Sequence, residues 1–145
     1  MQFKWSVLTA LALSAGAFAQ SSSQVSVSFD QTYDDADNSL DIVACSHVLE
    51  AGTGFTTFGS LSGAFPNIGG AGVVEEFDDP NCGTCWNLTF HTTSVQIFVI
   101  DHSAEGTFNI ALEAMNTLTD GQAEFLGRVN ATAVQIPVSD CNIEF

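Results

Sequence analysis

"NCGTCWNLTFHTTSVQIFVID", residues 81–101, holds two cysteines three apart, a tryptophan and two β-prone runs. Residues 94–101 are largely apolar and β-branched, the pattern of a strand buried on both faces. Residues 85–90, aromatic and β-prone, read as a strand as well. Two neighbouring strands with no helix between them point away from a parallel α/β sheet and toward a mainly β architecture.

The flanks extend this reading. Downstream, "NIALEAMNTLTDG" (109–121) carries Leu112, Met115 and Leu118 at helical spacing, with Asn109 as the expected N-cap and Gly121 as the stop. "RVNATAVQIPVSDC" (128–141) reads as a last strand, with Pro137 suggesting an edge or bulge. Upstream, "SSSQ" (21–24) reads as a polar tail, and "VSVSFD" (25–30) alternates Val25, Val27 and Phe29 as a half-buried strand does. "DIVACS" (41–46) reads as a second short strand. Residues 54–79 are glycine-rich, with a helical turn expected near Thr57 to Leu61, and their length implies a folded surface loop system. The sum predicts a small closed β-barrel with short helices.

Residues 1–19 combine Lys4, an apolar stretch and a closing Ala17-Phe18-Ala19, the pattern of a secretory signal peptide cleaved after Ala19. The apolar run is shorter than the roughly 18 residues a membrane span needs. The expected mature chain, residues 20–145, is one extracellular domain. Arg128 is its lone Lys or Arg against 17 Asp and Glu, a net charge near −16. Such a surface cannot neutralise phosphates, which excludes nucleic-acid binding, and it disfavours anionic lipid and acidic polysaccharide. A neutral ligand, a cationic one, or none remains.

Secretion decides how the cysteines are read, because thiols in an oxidising compartment pair. Cys45, Cys82, Cys85 and Cys141 allow three pairings. A zinc site would want two close pairs of ligands, and Cys45 and Cys141 stand alone. A redox-active Cys82–Cys85 bridge would want a helix start or a cation beside it, and a strand follows instead. The cysteines therefore read as structural staples. The acidic segment 34–41 resembles a calcium loop only superficially, since Leu40 replaces the sharp-turn glycine and Ser46 the bidentate glutamate. No metal and no cofactor is expected.

Taken together, "VSVSFD", "SLDIVACS", "FPNIGG", "NCGTCWNLTF", "IFVIDHS", "FNIALEAMNTLTDGQA" and "GRVNATAVQIPVSDC" resemble, in this order, the cerato-platanin family of small secreted fungal proteins. The resemblance implies a six-stranded double-psi β-barrel related to expansins and family 45 endoglucanases. It implies pairing of Cys45 with Cys82 and of Cys85 with Cys141. It also implies binding of chitin or N-acetylglucosamine oligomers and other neutral wall polysaccharides, loosening without hydrolysis, a monomer that self-assembles at surfaces, and elicitation of plant defence through a host receptor. Asp101 matches the groove aspartate of the family, where a carboxylate could accept two sugar hydroxyls. Phe29, Asp30, Asn81 and His102 complete the expected carbohydrate-binding set, Phe29 standing where the family commonly has tyrosine.

Each residue also has a plainer reading. Asp30 can cap the following turn, and Trp86 is expected to pack in the core beside a disulfide rather than face ligand. Asp101-His102-Ser103 suggests a hydrolytic triad only on paper, since consecutive residues on an extended chain point to alternate sides. Two competing functions remain: an inverting glycosidase with Asp101 as acid and Asp30 as base, about 6.5–9.5 Å apart, and a surface-active wall protein acting through an exposed apolar patch. Asn87 and Asn130 begin N-glycosylation sequons on predicted strands.

Overall fold

The computed structural model describes residues 20–144, so the expected signal peptide lies outside the described residues. Its core begins with strand β4, Thr93–His102, in which Ile97, Phe98, Val99 and Ile100 have no solvent exposure. Burial on both faces arises because helix α2, Leu112–Thr119, packs on β4 with Ala114, Met115 and Leu118 turned inward. β3, Cys85–Phe90, pairs antiparallel with β4 and with β6, Arg128–Ile136. β6 in turn pairs antiparallel with β1, Ser22–Phe29.

Two strands that the hydrophobic pattern does not announce complete the wall. β2, Ile68–Ala71, runs parallel to β4 and antiparallel to β5, Thr107–Ile110, while β5 runs parallel to β1. The result is a closed six-stranded mixed barrel in the order β1-β5-β2-β4-β3-β6, as the family resemblance implies. In β2 the two glycines are packing requirements. A Cβ at Gly70 would stand 2.4 Å from the His102 carbonyl oxygen, and one at Gly69 would stand 2.5 Å from that of Asn109. The register of β2 against β4 slips between these glycines, so that Gly69 faces Val99 while Gly70 faces Asp101.

Several local expectations are corrected. The polar residues 22–24 are not a tail but the start of β1, laddered to β6 from Ser22 opposite Val134. Residues 41–46 form no strand: Leu40–Ile42 is a 3-10 turn capped by Ser39, and α1, Ser46–Glu50, follows. Here Leu40, Val43 and Cys45 are buried by turns rather than by alternation. Asn109 lies within β5 and does not cap α2. That helix begins after Ala111, and its free N–H groups at Leu112 and Glu113 are accepted by the distant Asp34 carboxylate at 2.8 and 2.9 Å. Pro137 marks no edge, because β6 is paired on both sides and ends at Ile136. The expected turn near Thr57 is present as a 3-10 turn, Phe58–Ser60, closed by a capping box.

Both disulfides follow the pairing the resemblance implies. Cys45 joins Cys82 with Cα atoms 5.4 Å apart, and Cys85 joins Cys141 at 5.9 Å. Helix α3, Ala123–Leu126, closes the chain path before β6 and leaves Phe125 87% exposed.

Candidate functional site around Asp101

Beyond Ile100 strand β4 emerges from the core, and Asp101 is half-buried there. Three donors hold its carboxylate. The Tyr33 hydroxyl donates to Oδ2 at 2.8 Å, and the backbone N–H groups of Ala44 and His102 donate to Oδ1 at 2.9 and 2.8 Å. Both lone pairs of Oδ1 are thereby occupied, while Oδ2 keeps one for a ligand. The expected acceptance of two hydroxyls reduces to one.

Tyr33 is the partner that sequence reasoning missed. It is the chain's single tyrosine, 6% exposed, and its ring lies 6.1 Å from that of Phe58. Burial first, then the charge of Asp101 and the hydrogen bond to it, push the phenol well above its ordinary value, with Asp30 adding in the same direction. The hydroxyl therefore stays protonated and donates. No motif marks this residue; its single signal is an aromatic ring placed inside an acidic turn.

The other expected residues fall into two groups. Phe29 and Asp30 lie at the end of β1, just before the turn Gln31–Asp34 that carries Tyr33. Phe29 packs half-buried on the core, and exposed Asp30 accepts from Thr32 N at 2.9 Å, capping that turn. Asn81 and His102 instead brace the backbone of residues 73–74. Asn81 Nδ2 donates to the Val73 carbonyl at 2.9 Å, and the exposed His102 ring meets the Val74 carbonyl through Nδ1. Asn81 is itself fixed by Asp79, whose carboxylate accepts from Asn81 N at 2.7 Å, from its Nδ2 at 2.9 Å and from Glu75 N at 3.0 Å. Those backbone hydrogen bonds, Asn81's first and Glu75's next, hold the Asp79 carboxyl below its ordinary 3.8. The side chains of Asp101, His102 and Ser103 have separate partners, Ser103 pairing with Thr107 at 2.6 Å, so no relay forms.

A second surface feature adjoins the 73–74 segment. β1, β3 and β5 begin around a hollow of about 270 Å³ that β2 meets at its end, lined by Val25, Val73, Trp86, Phe108, Glu75 and Glu105 among others. Trp86 is thus corrected in part. It packs against the core, its ring edge-on to Phe108 at 5.8 Å and its Nε1 donating to Thr84 at 3.0 Å, yet it is only half-buried and lines this hollow.

Of the two sequon asparagines, Asn130 on β6 is exposed. Asn87 on β3 is half-buried and bonded to Thr89 and Gln96 at 3.3 and 3.4 Å. Among the described residues no three His, Cys, Asp or Glu gather as a metal site, and no helix is long and apolar enough to cross a membrane.

The cerato-platanin family profile matches residues 25–143. "Allergen Asp f 15" of Aspergillus fumigatus is 43% identical over 118 residues, 81% of this chain and 76% of that protein. The crystal structure of cerato-platanin 2 from M. perniciosa superposes with a TM-score of 0.75 at 37% identity, covering 83% of this chain and all of that one. The solution structure described as "the fungal elicitor Cerato-Platanin" gives 0.71 at 38% identity, covering 81% and 96%.

Proposed function

The chain belongs to the cerato-platanin family, and from that premise we propose that it is a secreted, wall-associated protein that binds chitin or N-acetylglucosamine oligomers and loosens polysaccharide without hydrolysing it. The observation that carries the reading is the fixed, singly available carboxylate of Asp101. A carboxylate oriented by three donors and offering one lone pair can position a sugar hydroxyl through a charge-assisted hydrogen bond. A general acid, by contrast, must carry a proton toward the glycosidic oxygen, and a base must activate water opposite it. Donors fill all but one of Asp101's acceptor positions, and Asp30, the candidate base, is engaged in capping its own turn. Both features favour binding over turnover. A plant receptor that reads the protein as an elicitor fits the same reading, since a similar solved protein is described as a fungal elicitor.

Titration of N-acetylglucosamine oligomers into wild type and Asp101→Asn, with product analysis after long incubation, tests this reading. We expect affinity to fall by about 1–3 kcal/mol in the variant, with no shorter oligomers from either protein. Equal affinities would remove Asp101 from the site, and steady product release by wild type alone would establish the inverting glycosidase instead. Glycan occupancy is expected at Asn130 in preference to Asn87, because its side chain faces solvent; peptide mapping before and after endoglycosidase treatment reads it directly, and a glycan on Asn87 alone would reverse the assignment.

One observation favours a second, surface-active reading. Phe125 is 87% exposed, Ile42 58% and Phe77 55%, which places apolar groups at the surface outside the Asp101 site. Film formation at an air–water interface, abolished by Phe125→Ser and unaffected by Asp101→Asn, would support it.

A further inference from the structure

The hollow beside Trp86 contains none of the residues gathered at Asp101, yet it has the makings of a binding site. Its floor is apolar, formed by Val25, Val73, Trp86 and Phe108, and two acidic residues, Glu75 and Glu105, stand on its rim. The indole N–H is spent on Thr84 and the ring edge rests on Phe108, so the orientation of Trp86 is fixed before any ligand arrives. The wall at residues 73–74 is braced from behind by Asn81 and His102. At about 270 Å³ the hollow stands near the lower end of ligand pockets, which begin at roughly 300 Å³.

Charge decides what fits. Glu75 and Glu105 are exposed, and neither carboxylate takes part in an ion pair or hydrogen bond among the described residues. Arg128, the lone described cation of the Lys and Arg type, donates to Ser26 and does not line the hollow. Two unpaired carboxylates lining the same hollow as an aromatic side chain, in a strongly negative protein, form a receptor for a cation attached to an apolar face. A peptide would most readily bind such a fold by adding a strand to a sheet edge, and a closed barrel offers no edge. A pyranose stacks its C–H face on an aromatic ring without needing one.

We propose that this hollow binds oligomers of glucosamine, the deacetylated and protonated amino sugar, with a sugar face on Trp86 and ammonium groups directed to Glu75 and Glu105. The proposal rests on the reading of the protein as a glycan binder and adds to it a separate site with the opposite preference at nitrogen. N-acetylation removes the positive charge and lengthens the substituent, so the acetylated chain keeps the stacking and loses the attraction. One wall would then hold ligands of both kinds on one barrel, acetylated stretches at Asp101 and deacetylated stretches at Trp86.

The test uses the secreted protein, in which Trp86 is the sole tryptophan once residues 1–19 are removed. Glucosamine tetramer, N-acetylglucosamine tetramer and tetralysine are each titrated in mildly acidic, low-salt buffer, read by calorimetry and by tryptophan emission, into wild type, Glu75→Gln/Glu105→Gln and Asp101→Asn. Both glutamates are exposed and unpaired, so the double variant keeps its fold. We expect glucosamine tetramer to shift the Trp86 emission and to lose about tenfold in affinity in the double variant, the scale of removing two nearby charges from a solvent-exposed ion contact. Acetylated tetramer should be unaffected by that variant and weakened by Asp101→Asn. Unchanged glucosamine binding in the double variant, an unshifted Trp86 emission at saturation, or tetralysine binding as tightly as the amino sugar would each overturn the proposal. Failure of Asp101→Asn to weaken the acetylated oligomer would overturn the Asp101 reading alone.

Discussion

The barrel wall and the excursion from Asp30 to Cys82 satisfy the same backbone by different means. In the wall of β1, β3, β4 and β6, ladders pair the N–H and C=O groups; side chains alternate between core and solvent along parts of β1 and β6, while the middle of β4 is buried on both faces. In the excursion only Ile68–Ala71 joins the sheet; backbone turns take over most of the work of the ladder, and carboxylates supplement them. Asp30 accepts from Thr32, Asp35 from Asp37, Asp78 from Val48, and Asp79 from Glu75 and Asn81. Asp34 and Asp101 reach outward from the two sides of this division, Asp34 to the start of α2 and Asp101 back to Ala44. The acidity of the chain is therefore more than a solvated surface. Part of it is internal scaffolding for a segment whose glycine content cannot build strands unaided.

The difference can be broken at its strongest link first. Cys45→Ala/Cys82→Ala opens the covalent loop that ties the start of α1 to the end of the excursion, and should cost about 4 kcal/mol in urea unfolding. Hydrogen exchange should then quicken across residues 45–82 while β3 and β4 stay protected; uniform loss of protection would mean that the two regions unfold as one unit. A smaller effect is expected from Asp34→Ala, which strips both acceptors from the start of α2. About 1 kcal/mol is the usual scale of an N-cap, and Asp34→Asn should recover part of it. No change on Asp34→Ala would show that water replaces the carboxylate without loss.

The smallest effect concerns acid. The Asp79 carboxyl titrates below 3.8 when folded, so its contribution is complete above that value and is lost as pH falls through the lower folded value. Wild type should lose stability more steeply than Asp79→Asn in that acid range, and the two proteins should run parallel at neutral pH. Parallel curves throughout would show that the bonds to Asn81 and Glu75 do not depend on the charge.

The same division explains what the sequence made legible. β4 and β3 are readable because residues 94–101 and 85–90 carry apolar and β-branched side chains in runs, and α2 because Leu112, Met115 and Leu118 repeat at helical spacing. β2 is unreadable from pattern, since Ile68-Gly69-Gly70-Ala71 owes its strand to the close approach of His102 and Asn109 backbone rather than to side chains. The misplaced strand at 41–46 has a related cause: Leu40, Val43 and Cys45 are apolar and buried, but Ser39 caps a turn there and the burial follows turn geometry. At the site, Asp101 was legible through its family match. Tyr33 was not, and neither was the role of Asp34 at the start of α2, because one aromatic and one of many acids carry no spacing that singles them out from solvated neighbours.

The two disulfides also change what a cut in the chain can do. They close two covalent rings in series, one spanning Cys45 to Cys82 and the next Cys85 to Cys141, and the rings do not overlap. A protease that clips the exposed Ala51-Gly52 segment, or any other single peptide bond inside either ring, leaves both new ends tethered to the same molecule. Between the rings lie only Gly83 and Thr84, each half-buried. Separation of the chain from 45 to 141 into two pieces by one cleavage requires a cut in that three-bond bridge, and elsewhere a nick is a scar rather than a break.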